Sequence, residues 1–379
     1  MSNCTVNQTE AAEKRCIFHY PHPIVDKPGI GSALRPNQMC AAFERIGYQV
    51  DKVCGYGAQR KQAIRQIRKN IRAGVKYDFV YSESVNSPTL LTEEDHIPRY
   101  PFLDFSFLGF CRKNGIPVGL FYRDMHWMFP VYREQVSRWK QMITLPLFRY
   151  DLRMYRKNVD LLYVASDRVE GIVPHSRTKP LPPGGQDQPA VLNSRTGKQQ
   201  KEGYLQVFYV GNVMGVYDLT DFCNAVSQTD NIYLTICTPQ SSWEQMQARY
   251  APYMSERIRV VHKSSAELAP YYEQADVFCC CLQVSEYTRL AMPIKTFESI
   301  SYGVPVMMSK GIAAGELVAK EGCGWVVQND VDAFRALLTR LRDDPAEVRE
   351  KTANTIAIAA NHTWESRARQ VAEDLLNLK

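Results

Sequence analysis

Short apolar runs recur along this chain, separated by longer stretches whose apolar residues fall at helical spacing. Residues 16–19 (Cys-Ile-Phe-His) read as a first strand, followed by a Gly-containing loop at 27–32. Residues 36–46 place Met39, Phe43 and Ile46 on one helical face, and Gly47 stops that helix. Residues 48–53, 79–81, 118–122 and 161–164 continue as strands with helical stretches between them. Strands separated by helices imply parallel pairing and a doubly wound sheet. At 181–185 (Leu-Pro-Pro-Gly-Gly) the composition changes. Residues 186–203 are polar, rich in Gln, Ser, Gly and Lys, and lack apolar periodicity, so they read as an interdomain connection. The alternation then restarts at 207–210, 232–236, 258–261, 277–281 and 304–308. The last stretch opens a further amphipathic helix, carrying Val371, Leu375 and Leu376. The expected organisation is α/β throughout, with two Rossmann-like doubly wound domains at 1–185 and 204–361 and a closing helix at 362–379.

Composition narrows this without redirecting it. A chain of 379 residues is too long for one ordinary core. With 45% hydrophobic and 23% charged residues it has the make-up of a soluble globular protein. The polar start, without the apolar core of a signal peptide, and the lack of any apolar run near the roughly 20 residues that span a bilayer lead us to expect a cytoplasmic chain. Eleven Cys, three of them consecutive at 279–281, fit reduced thiols. No paired C-x-x-C spacing points to zinc, and no metal or other cofactor is expected. A formal charge of +6 is mild. It permits an anionic partner, but nucleic acid is discounted. No strand runs into a G-x-G-x-x-G turn, which argues against a nicotinamide-dependent oxidoreductase.

The most informative stretch is 293–306, Pro-Ile-Lys-Thr-Phe-Glu-Ser-Ile-Ser-Tyr-Gly-Val-Pro-Val. Pro293 stands where a helix begins and Gly303 where one ends, and a buried strand follows. Lys295 and Glu298, three apart, project from neighbouring parts of one helical face. A Lys at a helix N-terminus suits a diphosphate, and a carboxylate one turn on can accept hydrogen bonds from ribose hydroxyls. On spacing alone an ordinary surface ion pair is an equal alternative.

Pro293, Lys295, Phe297, Glu298, Gly303, Pro305 and Val306 resemble the donor-binding signature of GT-B glycosyltransferases of the family 4 (group 1) type. Residues 315–318 and 322–327 are similar to that family's continuation. The resemblance implies a GT-B architecture with its active site in the cleft between two domains, the last helix crossing back to the first domain. It implies a hexosyl- or glycuronosyltransferase that takes a nucleotide sugar, UDP-linked by family frequency. Gly31 in the first loop, Gly211 and Asn212 after the restarted first strand, His262 near the base, and Tyr287, Arg289 and Thr296 beside the motif complete the implied donor set with Lys295 and Glu298. The basic residues that often follow Gly211 are missing, which shifts phosphate neutralisation to Lys295 and Arg289. For His262 a satisfied surface position is the competing reading. Many family 4 enzymes carry a second Glu eight residues before Glu298; here that position is Leu290, which leaves the stereochemistry open.

A polar cluster after the 118–122 strand forms a second candidate site, because open α/β sheets place ligands at the carboxyl ends of their strands. Asp124 is a candidate general base on an acceptor hydroxyl, with Arg123 and His126 as acceptor contacts; capping of the next helix is the alternative role for Asp124. The Tyr122-Arg-Asp124 turn is similar to the catalytic turn of the xanthan-type glucuronosyltransferase. Residues 127–157 combine seven aromatics with seven basic residues and two acids. That mixture suits an anionic membrane surface, and equally the core contacts of two long helices. The acceptor expected is a glycan, on a polysaccharide or a polyprenyl diphosphate, in capsule, exopolysaccharide or glycan synthesis. A non-transferring relative such as a nucleotide-sugar epimerase, or a non-catalytic glycan- or membrane-binding module, remains the alternative.

Overall fold

A computed structural model describes residues 14–24, 31–198 and 200–378. Six strands form the first sheet: β1 (Arg15–Tyr20), β2 (Gln49–Cys54), β3 (Phe79–Glu83), β4 (Val118–Phe121), β5 (Leu161–Val164) and β6 (Thr178–Pro180). Six more form the second: β7 (Leu205–Val210), β8 (Ile232–Cys237), β9 (Ile258–Val261), β10 (Val277–Cys280), β11 (Val306–Ser309) and β12 (Gly324–Val327). Their orders are β2-β1-β3-β4-β5-β6 and β12-β11-β10-β7-β8-β9, and every pairing is parallel. Each sheet is buried on both faces, which explains why the central strands read as unbroken apolar runs. Two Rossmann-like domains result. In each, the chain reverses direction beside its first strand, between β1 and β3 and between β7 and β10, and such switch points open crevices at the strands' carboxyl ends.

Four local features differ from the sequence reading. The first helix runs over Gly31–Arg45, so Pro36 lies inside it and not at its start. The edge strands β6 and β12 escaped notice, being three and four residues long with Pro or Gly at a terminus. The polar connection contains a helix, Pro189–Thr196, whose Arg195 is buried and donates to the carbonyls of Tyr272, Glu273 and Ala275. Of the seven aromatics at 127–157, Trp127, Tyr132, Phe148 and Tyr155 belong to the first domain's core and Phe129 and Tyr150 pack against it.

The final helix, Trp364–Leu376, buries Trp364, Val371 and Leu375 in the first domain's core. Gly119 on β4 makes room for it: a Cβ there would sit 2.9 Å from the Leu375 side chain. The chain thus passes between the domains twice, and the crossings are bonded together. Gly185 N–H donates to His362 O (2.7 Å) and Trp364 N–H donates to Gly185 O (3.1 Å). A third tie is Arg168, which pairs with Glu316 (2.6 Å) and donates to the carbonyls of Arg289 and Gly311. Among the described residues, no helix is long and apolar enough to cross a membrane.

Candidate active site

β10 leads into a loop that ends at Pro293, and the helix Ile294–Ser301 starts behind it. Pro293 occupies the cap with φ −62°, and Gly303 takes φ +67° two residues beyond the helix, a left-handed conformation open to glycine. The next strand enters through Pro305, whose carbonyl accepts from Phe278 N–H while its own nitrogen has no hydrogen to place. Phe297 and Ile300 anchor the helix's inner face in the core. That leaves Lys295 and Glu298 partly exposed on its outer face, Nζ 2.7 Å from Oε2. The Tyr272 hydroxyl also reaches Glu298 Oε2, at 3.4 Å.

Both side chains line a cleft of about 790 Å³ shared by the two domains, with Leu34 contributed by the first. Gly211, Asn212 and His262 line it too. Gly211 permits close approach, because a Cβ would lie 2.9 Å from the Tyr209 hydroxyl. Asn212 is occupied with its own loop: its Oδ1 accepts from Val213 N–H (2.8 Å) and Met214 N–H (3.2 Å). His262 Nδ1 donates to Thr238 O (2.7 Å), which leaves Nε2 as the ring's remaining polar atom. Cys280 also lines the cleft, and burial pushes its thiol up to about 12, so it is a neutral wall and not a nucleophile.

A second cavity of about 340 Å³ adjoins the first, sharing Tyr217, Leu282, Pro293 and Ile294 with it. Its first-domain wall is the loop after β4. Arg123 and Asp124 line it, and Tyr287 faces them from the second domain. Asp124 Oδ1 accepts from the N–H of His126 (2.9 Å), the first residue of the following turn, while Met125 stands at that turn's cap position. The Tyr287 hydroxyl lies 3.0 Å from both carboxylate oxygens, a hydrogen bond that spans the domains. Burial and the Asp124 charge push the Tyr287 phenol well above its usual range, which keeps it a donor.

Three sequence candidates stand away from these walls. Thr296 is fully buried, with its hydroxyl 3.6 Å from Cys280 Sγ. Arg289 is exposed outside both cavities and contributes its backbone carbonyl to Arg168. His126 lies behind Asp124, its Nδ1 3.4 Å from Oδ2 and its ring against Tyr132 and Phe148. Gly31 is the first residue of its helix, and Gly29 and the rest of 25–30 lie outside the described residues. Tyr217, on the wall of both cavities, was missed. Its only sequence signal is a Gly-Val-Tyr-Asp turn after β7.

Two parallel six-stranded sheets facing each other across a cleft define the GT-B fold. Many solved structures share it. Sucrose-phosphate synthase from Thermosynechococcus elongatus is 15% identical, with 97% of this chain and 99% of that one covered at a TM-score of 0.62. HepE from Anabaena, in complex with UDP and glucose, gives 13%, 96%, 99% and 0.62 in the same order. WaaG, a glycosyltransferase involved in lipopolysaccharide biosynthesis, gives 12%, 95%, 99% and 0.57. No curated protein matches by sequence. Residues 204–344 match the family described as Glycosyl transferases group 1. The family match thus covers the second domain, and the chain as a whole has the GT-B fold.

Proposed function

We propose that this enzyme moves a sugar from a UDP-linked donor to a hydroxyl of a glycan acceptor, lipid-linked or polysaccharide, in cell-surface glycan synthesis. One observation carries the reading: the Lys295–Glu298 pair stands on the wall of the larger cleft, next to Gly211 and His262. In the structure the two charges satisfy each other. On donor binding, Lys295 turns to the diphosphate and Glu298 accepts from the ribose hydroxyls. The UDP held by HepE supports this choice of nucleotide. Titration with UDP tests it. Glu298→Ala should weaken binding by about 1–3 kcal/mol, and Lys295→Ala should also weaken it. Unchanged affinity in both variants would remove the assignment.

For the chemistry, Asp124 takes the proton of the acceptor hydroxyl. The acceptor oxygen attacks the anomeric carbon, and the bond to the phosphate oxygen breaks with Lys295 beside the departing charge. A single displacement of this kind inverts the anomeric configuration. Leu290, in place of the second Glu of retaining relatives, agrees with that direction. A retained configuration by NMR would refute it. Tyr287 O–H occupies the position on Asp124 that an acceptor hydroxyl would take.

The acceptor domain is proposed to rest on the cytoplasmic face of an anionic membrane. With four of the seven aromatics in the core, the candidate surface shrinks to Trp139, Met142 and Ile143, which are 63%, 78% and 50% exposed on the helix Arg138–Asn158. Arg149, Arg153 and Arg156 continue the same exposed face by helical spacing. Co-sedimentation with phosphatidylglycerol vesicles should fall as salt rises and in Trp139→Ser. Binding that ignores both would refute it.

A further inference from the structure

Arg35 is 3% exposed on the helix Gly31–Arg45, and it lines the smaller cavity together with Arg123 and Asp124. Its guanidinium lies on the Phe121 ring, 3.5 Å from the centroid, with Trp364 at 5.9 Å. The nearest acid, Glu83, is 3.4 Å from Nε and out of hydrogen-bond geometry; Glu83 Oε1 instead takes the Tyr81 hydroxyl at 2.9 Å. None of the three Arg35 nitrogens has a hydrogen-bond acceptor among the described residues. A second buried cation, Arg367, lies close enough to feel Arg35's charge. Arg123 likewise lies within charge range of Glu83. Two guanidiniums, Arg35 and Arg123, therefore act on the one buried carboxylate of Glu83, and both line this cavity beside Asp124.

Buried guanidinium nitrogens without acceptors are rare in a finished structure, and a planar fork of donors fits a carboxylate or phosphate. We propose that Arg35 forms an anion subsite for the acceptor, so that the sugar accepting the transfer carries a carboxylate or phosphate. The inference rests on the acceptor entering this cavity beside Asp124, as proposed above. Phe121 stacks on the guanidinium and Glu83 pairs with it at 3.4 Å from Nε, while the terminal nitrogens are enclosed without an acceptor, so a small shift of Arg35 toward the cavity would present them to the ligand. A cavity of about 340 Å³ is at the small end of ligand pockets, suited to one or two sugar units.

The test is ligand-observed NMR on the full chain, with and without saturating UDP, using D-glucuronate, D-glucose 6-phosphate and D-glucose as probes. At least one acidic sugar should bind ten or more times tighter than glucose, and which one does so distinguishes carboxylate from phosphate. In Arg35→Gln the preference should disappear while UDP affinity is kept; Arg35→Lys, which keeps the charge without the fork, should fall between. Equal affinity for all three sugars in the wild-type protein overturns the proposal without recourse to any variant. So does an undiminished preference in Arg35→Gln. Loss of UDP binding in the wild type would instead remove the donor reading, and the sugar comparison without UDP would still decide this one.

Discussion

The two walls of the cleft hold their chemistry in different ways. In the second domain Lys295 and Glu298 share one short helix, stand partly exposed and sit on an apolar base of Phe297, Ile300 and Val306. In the first domain charge is stored inside. His19 lies between Ser82 (2.7 Å) and Asp104 (2.9 Å), and Asp104 also holds Arg60 (2.8 Å). Ser82, His19 and Asp104 have the order of a hydrolytic triad, yet each is less than 5% exposed and Arg60 already neutralises the acid. That network ties β1, β3 and the Leu103–Lys113 helix together beneath the cleft. One wall leaves its charged pair partly exposed in the cleft. The other uses most of its polar groups to set geometry, and lets few reach the surface.

The largest effect should come from one of those few. Asp124→Asn keeps the shape and the hydrogen bond from His126 N–H but removes the proton acceptor. A positioned base contributes 10²–10⁴-fold, or roughly 3–5 kcal/mol. The rate of UDP release in the presence of acceptor should collapse by that factor while UDP affinity holds. Loss of UDP affinity with the rate would mean that the two walls are not separable.

The same contrast explains what the sequence disclosed. The place of Lys295 and Glu298 on the cleft wall was legible because Pro293, Lys295, Glu298 and Gly303 fall within one helix and its stops, where spacing converts directly into placement. Central strands were legible for a similar reason, since burial on both faces makes them uniformly apolar. The first-domain wall was legible only at Arg123 and Asp124, directly after a strand. Arg35 and Glu83 meet through tertiary packing of a helix on a strand, and nothing local in either segment announces the pair. Thr296 and Arg289 show the opposite error: proximity to a motif in sequence placed them in the site, and the helical period turned one inward while the loop turned the other out. The aromatics of 127–157 were ambiguous because a basic, aromatic helix reads alike whether its rings cover a core or face a membrane.

Stored charge should also leave a mark on stability. Asp151 lies inside the first domain, accepting from Thr89 N–H (2.8 Å) through one oxygen while the other has no partner. Burial pushes its carboxyl up to about 7. An acid raised above its unfolded value favours folding only while protonated, so that contribution is complete below about pH 4 and is lost as pH rises to about 7. Asp151→Asn keeps an acceptor for Thr89 and cannot ionise. Its advantage over the wild-type protein should grow from near zero at about pH 4 to on the order of 3 kcal/mol at about pH 8, read from urea midpoints. A pH-independent difference would show that Asp151 is already compensated.

The junction of the walls offers a smaller test. Gly185 lies where the two crossings meet, and a Cβ there would come within 2.4 Å of Phe297 O, on the helix that carries Lys295 and Glu298. Gly185→Ala should therefore push that helix away at a cost of about 1–3 kcal/mol, and weaken UDP binding although the residue touches no ligand. Lower stability with UDP affinity intact would show that the donor wall is independent of the junction.

The smallest effect concerns the bond that joins the walls. Tyr287 O–H donates to Asp124 across the cleft, and in the proposed mechanism an acceptor hydroxyl would displace it to reach the carboxylate. A hydrogen bond to a charged group contributes roughly 1–3 kcal/mol when its partner is removed, less when water can replace it. Tyr287 is only partly buried, so about 0.5–1.5 kcal/mol is expected. Tyr287→Phe keeps the ring against Phe129 and deletes the donor. If the bond only joins the two walls, the acceptor KM should fall by roughly two- to tenfold with kcat unchanged, because the competitor for Asp124 is gone. If Tyr287 also orients Asp124 during transfer, kcat falls and KM stays. The KM-against-kcat split thus decides whether the second domain takes part in the chemistry of the first, or only waits on it.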